Sequence, residues 1–325
     1  MFKVIACVIA VVSAAIAASG QSYAPAPGNP GSTALPNNSP LFTAWATGVT
    51  VTRGYVKISD TAFTVAGSNF ASSGEPGYAV GPANGGSVSL GDGGSATLTF
   101  ATPMTNGEGF DFAVFETGSG DYIELAFVEV SSDGVHFYRF PNHSETQATT
   151  QIGTFGSPQP QYLNNLAGKY NGIYGTPFDL SDLPDDALLD KNRVTHIRII
   201  DVVGSIDPAY ASYDSFGNAV NDSFPTPFNT SGFDLMGVGV IHEATMGADN
   251  KALAEAHLYP NPTTGILYAD GMDNINVIVY DTKGKIVITP QPLREAIDLS
   301  GLAAGLYFVE LAYGDRRAIR KVVKL

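Results

Sequence analysis

Short stretches of alternating apolar and polar residues follow one another between residues 46 and 241, and this pattern constrains the fold more than any other feature. A period of two residues is typical of a β-strand with one face against a core. The stretches cover residues 49–58, 87–90, 95–100, 110–115, 122–130, 194–203 and 233–241. The sequence therefore predicts many short strands. The one helix that the pattern allows covers residues 180–190, with Ser181 as its cap.

Turns rich in glycine separate these stretches, most clearly at residues 91–94 and 131–134. The chain has 36 glycines and 20 prolines among 325 residues and only 15% charged residues, a composition unlike that of a helical bundle. No repeat of the length of a propeller blade is visible. We predict an all-β protein, a jelly-roll-like β-sandwich followed by a small Ig-like antiparallel β-sandwich.

Residues 1–20 have the organisation of a secretory signal peptide. Lys3 gives a positive start, residues 4–16 are apolar, and small residues follow at 17–20. The apolar run is too short to span a bilayer, so we expect no transmembrane anchor. Cys7, the only cysteine, has just three apolar residues between it and Lys3, which disfavours a lipid-acceptor role. Once the signal peptide is removed, the chain has no cysteine for a disulfide or a zinc site.

Charge divides the remaining chain into two regions. Residues 21–250 carry 7 basic and 23 acidic side chains, and residues 251–325 carry 9 basic and 8 acidic ones. We predict a main domain over residues 21–245, a small and polar linker over 246–255, and a C-terminal domain over 256–325. The excess of acidic residues argues against nucleic acid as a partner, because that partner needs clustered lysine and arginine.

The C-terminal domain contains motifs in a specific order. They are Leu258-Tyr-Pro-Asn-Pro262, then Val279-Tyr-Asp281 with Gly284, then Ala304-Gly-Leu-Tyr-Phe308, and a last Lys321-Val-Val-Lys-Leu325. This region resembles the type A sorting domain of the type IX secretion system of Bacteroidetes. The residues that carry the resemblance are Tyr259, Pro260, Asn261, Pro262, Gly305, Leu306, Tyr307 and Lys321.

That resemblance implies a two-step export. The signal peptide directs the chain to the periplasm, and the outer-membrane secretion machinery then recognises the folded C-terminal domain. In the family, the sorting domain is typically removed after passage, and the cargo is released or attached to surface lipopolysaccharide. The expected location is therefore the medium or the outer face of the cell.

The main domain also resembles a family of exported bacterial surface proteins. The motifs include Phe110-Asp-Phe-Ala-Val-Phe-Glu116, Glu124-Leu-Ala-Phe-Val-Glu-Val130 and Gly232-Phe-Asp-Leu235. The resemblance implies location and fold but no chemistry. Relatives usually have Asn where this chain has Thr117 and Asp where it has Met236, so a metal site at those positions would be weakened here.

The sequence offers little evidence for catalysis. The five histidines form no metal-ligand pair, no Gly-x-Ser-x-Gly motif is present, and no phosphate-binding loop ends in Lys-Ser or Lys-Thr. Glu116, Glu124 and Glu129 could supply the paired carboxylates of a glycosidase. Glu124 and Glu129 differ in parity, however, and should point to opposite faces of a strand.

The densest group of oxygen ligands lies in a loop between two predicted core strands. A calcium ion takes six to eight oxygens, and a loop of this composition could wrap around one. The same residues could equally be ordinary turn formers. The candidate calcium ligands are Asp201, Asp207, Asp214, Asn218 and Asp222.

Aromatic residues in the same loop give a candidate ligand-binding surface, formed by Tyr210, Tyr213 and Phe216. Rings beside Asp and Asn are how lectin-type sandwiches hold sugars. Packing of the loop onto the sandwich is the alternative. The sequence favours a non-catalytic binding or structural protein at the cell surface or in the medium, with calcium as a candidate stabiliser and glycan as a candidate ligand. The alternative is an extracellular glycoside hydrolase or another polysaccharide-acting enzyme.

Overall fold

In the computed structural model, the described residues are 22–118, 120–244, 257–269, 275–293, 296–313 and 316–325. The chain divides into two compact units, residues 1–243 and 244–325, each with its own core. The predicted signal peptide and the predicted linker lie outside the described residues. No helix in the described part of the chain is long and apolar enough to cross a membrane.

The described residues of the first unit form thirteen strands, and their bounds show that the longest ones match the predicted stretches. They are β1 (Leu35–Pro36), β2 (Ala44–Trp45), β3 (Gly48–Thr52), β4 (Val88–Ser89), β5 (Ser95–Met104), β6 (Phe112–Glu116), β7 (Ala126–Ser131), β8 (Tyr138–Arg139), β9 (His143–Ser144), β10 (Leu163–Asn164), β11 (Tyr174–Phe178), β12 (Val194–Asp201) and β13 (Asp234–Val240).

Two antiparallel sheets form the sandwich. One sheet has the order β1-β11-β6-β13-β2 with β4 beside β13, and the other has the order β3-β5-β12-β7-β8. The long strands β5, β6, β7, β11, β12 and β13 alternate between the sheets, as expected for a jelly-roll-like sandwich. The predicted all-β sandwich is confirmed.

The core lies between the two sheets and explains the alternation seen in the sequence. Phe112 and Val114 point inward from β6, and Ile197 and Ile199 point inward from β12 onto the same cluster. Phe115, the residue after Val114, points to the opposite face and packs there against Phe42 and Trp45. Both faces of β6 are therefore buried, which accounts for its nearly continuous apolar sequence.

The predicted helix at 180–190 is wrong. The structure has only a 3₁₀ turn over Leu180–Asp182 there, and two further 3₁₀ turns at Pro76–Ala79 and Pro160–Tyr162. The cap is Asp179, whose side chain accepts a hydrogen bond from the Ser181 amide, and not Ser181. Pro184 ends the turn early, because proline disfavours helical backbone at the residue before it.

The second unit is a smaller all-β structure. Its strands are β14 (Leu258–Tyr259), β15 (Ile266–Ala269), β16 (Asn276–Asp281), β17 (Ile286–Pro292), β18 (Ala296–Asp298), β19 (Gly305–Tyr313) and β20 (Arg316–Lys324). They form a three-stranded sheet, β14-β15-β18, and a four-stranded sheet, β17-β16-β19-β20. Side chains from both sheets, such as Leu267 and Val309, share one core.

Candidate binding cleft

The structure places the predicted calcium ligands in separate local motifs. Asp214 closes its own turn by accepting the backbone amides of Phe216 and Asn218 at 2.9 and 2.8 Å. Its second carboxylate oxygen accepts the Ser144 amide at 2.9 Å and the Asn218 side-chain amide at 3.1 Å. Asp207 is exposed and accepts the Ala209 amide at 3.0 Å.

Asp201 and Asp222 lie in the interior instead. Asp201 accepts the amides of Gly93 and Phe233 at 2.9 and 2.7 Å. Asp222 accepts the amides of Leu125 and Ser223 at 2.8 and 2.7 Å. In the described part of the chain, no group of three or more His, Cys, Asp or Glu side chains is placed to hold a metal ion. Calcium binding stays a prediction, but the loop carboxylates bind backbone amides rather than converge on one point.

The three residues of the predicted aromatic surface line neither of the two clefts described below. Phe216 is exposed and packs on the ring of His143, with 4.4 Å between the ring centroids. Tyr213 is exposed and Tyr210 half-buried in the same loop. Ligand binding by these three rings stays a prediction.

A cleft of about 430 Å³ lies at the end of the sandwich where β6 ends and β13 begins. Its walls combine aromatic rings, carboxyl groups and hydroxyls. They are formed by Thr117, Gly118, Tyr122, Glu124, Phe155, Phe228, Thr230 and Asp234. A second depression of about 510 Å³ adjoins it, because Tyr122 and Phe155 line both. The two form one groove on the first unit.

Strand pairing brings two of the cleft's elements together. The Thr117 amide donates to the Asp234 carbonyl at 2.9 Å, so the end of β6 lies beside the start of β13. Glu116 pairs with Leu235, and a bulge follows on β13 between Leu235 and Gly237. Residues separated by more than a hundred positions in sequence thereby reach one end of the sandwich.

Hydrogen bonds between two loops position the aromatic rings of the cleft. The Thr154 hydroxyl donates to the Pro225 carbonyl at 2.8 Å, and the Ser223 hydroxyl donates to the Gly156 carbonyl at 2.6 Å. These bonds hold the loop around Phe155 against the loop that leads to Phe228. The two rings stack with centroids 6.0 Å apart and an interplanar angle of 26°. Phe155 is 83% exposed, so the pair offers an apolar surface to a ligand.

Four carboxyl groups lie close enough together at the base of the cleft to interact electrostatically: Glu116, Glu124, Asp222 and Asp234, which we call the acid cluster. Glu124 and Asp234 line the cleft itself. Glu116 is fully buried behind them, and neither of its carboxyl oxygens has a hydrogen-bond partner. Glu124 accepts a hydrogen bond from the Tyr122 hydroxyl at 3.3 Å.

Burial is the largest cause of the altered acidity of the acid cluster. It raises the pKa of Asp222 to about 7 and that of Asp234 to about 6. The pKa values of Glu116 and Glu124 lie well above their usual range, because of burial first and the neighbouring carboxylates second. Burial and the charge of Glu124 likewise raise the pKa of Tyr122. These carboxyl groups hold protons at a pH where exposed ones are ionised.

Only part of this site is predicted from the sequence. Glu116 and Glu124 are candidate carboxylates and Asp222 is a candidate calcium ligand, whereas Asp234, Tyr122, Phe155 and Phe228 are not predicted as a group. Glu129, the third candidate, lies elsewhere, between Arg139 and Arg198. No local signal could have joined these residues, because they come from four separate loops and strand ends.

In the second unit, the structure brings the two ends of the sorting motif together. The Asn261 side chain donates to the Lys321 carbonyl at 2.8 Å and accepts the Val323 amide at 2.9 Å. Tyr259-Pro260 and Asn261-Pro262 are cis peptide bonds on either side of this contact. Gly305 and Leu306 begin β19, and the Tyr307 hydroxyl donates to the Ala303 carbonyl at 2.9 Å.

Comparison with known proteins identifies this second unit. Residues 257–325 match the family model described as the secretion system C-terminal sorting domain. The resemblance seen in the sequence is thereby confirmed. The chain carries the sorting signal of the type IX secretion system, which directs it to the cell surface or the medium.

No curated protein matches the chain. Among solved structures, the apo β-glucuronidase of Ruminococcus gnavus is similar over 73% of this chain, with 12% identity and a TM-score of 0.18. The matched region is 38% of the length of that enzyme. A similarity this low carries no argument about the function of the first unit.

Proposed function

Because residues 257–325 are a secretion system C-terminal sorting domain, we propose that this protein works outside the cell as a non-catalytic glycan-binding protein. The observation that supports the proposal is the cleft at the end of the sandwich. Its stacked phenylalanines offer a flat apolar surface for the C–H face of a sugar ring. Thr117, Thr230 and the two carboxyl groups supply polar partners for hydroxyls.

The test is glycan binding by matched phenylalanine variants. Phe155→Ala removes half of the stacked pair, and Phe216→Ala removes a comparably exposed ring of the aromatic loop predicted from the sequence. We expect Phe155→Ala to weaken binding about tenfold or more and Phe216→Ala to leave it within twofold, measured by calorimetric titration against a panel of oligosaccharides. The reverse order would move the site to Tyr210, Tyr213 and Phe216.

A glycoside hydrolase is the second candidate, favoured by one observation: Glu124 and Asp234 both line the cleft. The high pKa of Glu124 suits a general acid, and a pKa of about 6 leaves Asp234 ionised near neutral pH. Such a pair is what glycosidic cleavage requires. Release of new reducing ends from a polysaccharide, lost in both Glu124→Gln and Asp234→Asn, would establish this candidate over the first.

For export, we propose that the secretion machinery recognises the second unit and that the first unit is its cargo. Surface lipopolysaccharide is a proposed attachment partner. Deletion of residues 251–325 should leave the first unit folded but held in the periplasm, as measured by cell fractionation of the truncated and full-length chains. Equal delivery of both to the surface would contradict the proposal.

Calcium binding by the 201–222 loop stays a proposal supported by the sequence alone. The reasons are a net charge of −14 and the lack of a cysteine after the signal peptide. A ligand that binds only the folded state at a hundredfold excess over its Kd stabilises it by about 2.7 kcal/mol. Melting curves in EDTA and in millimolar calcium should differ accordingly. An unchanged midpoint, or an equal shift in a variant with Asp207, Asp214 and Asp222 all changed to Ala, would end the proposal.

A further inference from the structure

The acid cluster lacks a matching positive charge. Arg53 is the basic residue that lowers the pKa of Asp234, but burial outweighs it. The Arg53 guanidinium is also committed to the backbone carbonyls of Ser73, Gly74 and Ser89. Among the described residues, the cleft above the cluster has no lysine, arginine or histidine in its lining. Lys169 lines the adjoining depression, but its amine donates to the Leu163 carbonyl at 2.8 Å.

Glu116 adds to this excess of acidic groups over basic ones. Its side chain is fully buried, neither oxygen has a hydrogen-bond partner, and the charged groups that raise its pKa are the carboxyl groups of Glu124, Asp234 and Asp222. A buried carboxyl group without partners costs free energy, and more so beside other carboxylates. A cation bound in the cleft would offset that cost.

The walls of the cleft indicate which kind of cation. The rings of Tyr122, Phe155 and Phe228 form an aromatic surface. A cation close to the face of such a ring gains a favourable cation–π interaction. A calcium ion instead needs six to eight converging oxygens. No three acidic or histidine side chains in the described ranges are arranged in that way. The combination of rings, hydroxyls and carboxyl groups therefore fits an organic ammonium group better than a metal ion.

We propose that the ligand is an amino sugar with a free, positively charged amine, an inference that rests on the proposed glycan-binding function. In this arrangement the sugar ring lies on the Phe155–Phe228 pair, and its ammonium group lies against Glu124 and Asp234. Thr117 and Thr230 meet the hydroxyls. An N-acetylated sugar lacks the charge, and its acetyl group would leave the carboxyl groups without a counterion.

The experiment compares three oligomers of equal length and linkage: β-1,4-linked glucosamine, N-acetylglucosamine and glucose. Each is titrated into the full chain after signal removal, at about pH 6, where the amine carries its proton. We expect the glucosamine oligomer to bind at least tenfold tighter than the other two. Its affinity should fall as salt is added, whereas the affinities of the neutral oligomers should not.

Variants of the cleft show which residues cause the preference for the glucosamine oligomer. An ammonium group lowers the pKa of the carboxyl groups that it contacts. Glu124→Gln and Asp234→Asn therefore each remove a group that is ionised in the complex, and each should lower the glucosamine affinity about tenfold while leaving the neutral oligomers within twofold. Asp185→Asn removes the same charge at an exposed site outside the cleft and should change neither. Fluorescence of Trp45, the only tryptophan, reports whether each variant keeps the first unit folded. Should both variants unfold, the oligomer ranking and its salt dependence decide.

The possible failures are distinguishable. Equal affinity for all three oligomers would overturn the amine inference and leave the glycan-binding function standing. Binding of none of them would overturn both. A glucosamine preference that disappears in EDTA, or calcium binding that Glu124→Gln abolishes, would make the acid cluster a metal site and overturn the amine inference alone.

Discussion

Two buried carboxylate regions of the first unit differ in how their charge is neutralised. Glu129 on β7 lies directly between Arg139 on β8 and Arg198 on β12 as their cross-strand neighbour. Arg139 donates to one of its oxygens at 3.0 and 2.9 Å, and Arg198 donates to the other. In the acid cluster, Glu116, Glu124 and Asp222 are similarly buried and Asp234 is half-buried, and among the described residues no arginine is paired with them in this way.

The difference separates a structural role from a binding role. The guanidinium groups around Glu129 also cover aromatic rings, with Arg139 4.3 Å from the Phe127 centroid and Arg198 4.0 Å from the Phe137 centroid. Every part of that region is satisfied within the fold. In the acid cluster, Glu124 and Asp222 accept hydrogen bonds from within the fold, but neither oxygen of Glu116 does. An unsatisfied buried carboxyl group is the arrangement expected where a protein keeps charge for binding.

The largest predicted effect is the pH dependence of the acid cluster. A carboxyl group with a raised pKa in the folded state holds its proton there between the unfolded and folded pKa values, so stability falls as pH rises through that window. For Asp222 the window runs from 3.8 to about 7. One pKa unit corresponds to about 1.4 kcal/mol, so this group alone lowers the free energy of unfolding by about 4 kcal/mol between pH 4 and 8.

Urea unfolding followed by Trp45 fluorescence at pH 5 and pH 8 covers two of these pKa units and should show a loss of about 3 kcal/mol from Asp222 on the first unit. Asp222→Asn removes this group and should reduce the dependence by that amount, leaving the part due to Glu116, Glu124 and Asp234. Carboxyl groups with lowered pKa, such as Asp214, act below pH 4 and do not disturb the window. Equal stability at both pH values would place the acid cluster in the same class as Glu129.

The next effect is a pair of substitutions with opposite signs. Glu129→Gln removes the charge that two arginines share and should lower stability by about 2 kcal/mol, because charge-assisted hydrogen bonds are lost. Glu116→Met replaces an unpartnered carboxyl group with an apolar side chain of similar size and should raise stability by about 1 kcal/mol at pH 8. Urea unfolding of both variants beside the parent measures the two signs. Two losses of equal size would remove the contrast between the regions.

The smallest effect is expected at the rim of the Glu129 region. Arg139→Ala removes one partner, but Arg198 still donates to the carboxylate, and Arg139 is 40% exposed. Partly exposed ion pairs contribute little, so we expect a loss of about 0.5–1 kcal/mol. Thermal melting against Arg198→Ala, which should cost more, checks the order. A larger loss in Arg139→Ala would show that the exposed arginine holds the region together.

Much of the fold could be predicted from alternation, although strand ends could not. The predicted stretch at 122–130 becomes a strand only from Ala126, because residues 123–125 bond to loops instead. The Ile123 amide donates to the Ser157 hydroxyl and the Leu125 amide to the Asp222 carboxylate, both at 2.8 Å. That early departure from the sheet is what places Glu124 in the cleft.

Strand alternation predicts correctly the face on which Glu129 lies, but it does not predict the position of Glu124. Val128 and Val130 face the core, so Glu129 lies on the opposite face, where register brings two arginines to it. Glu124 lies outside the strand, where alternation no longer determines the direction of a side chain. The predicted calcium ligands illustrate the same limit, because closeness in sequence did not bring them to one point.

The sequence by itself determined the destination of this protein and the class of its fold. The sorting motifs and the alternating strands are local patterns, and a local pattern is determined by turn residues and by the two-residue period of the strand. Only the tertiary structure decided where the cleft lies. Its residues come from positions 117, 124, 155, 228 and 234, and strand register and loop-to-loop hydrogen bonds bring them together. Pairing between distant segments depends on how the whole chain packs, and spacing along the sequence does not record it.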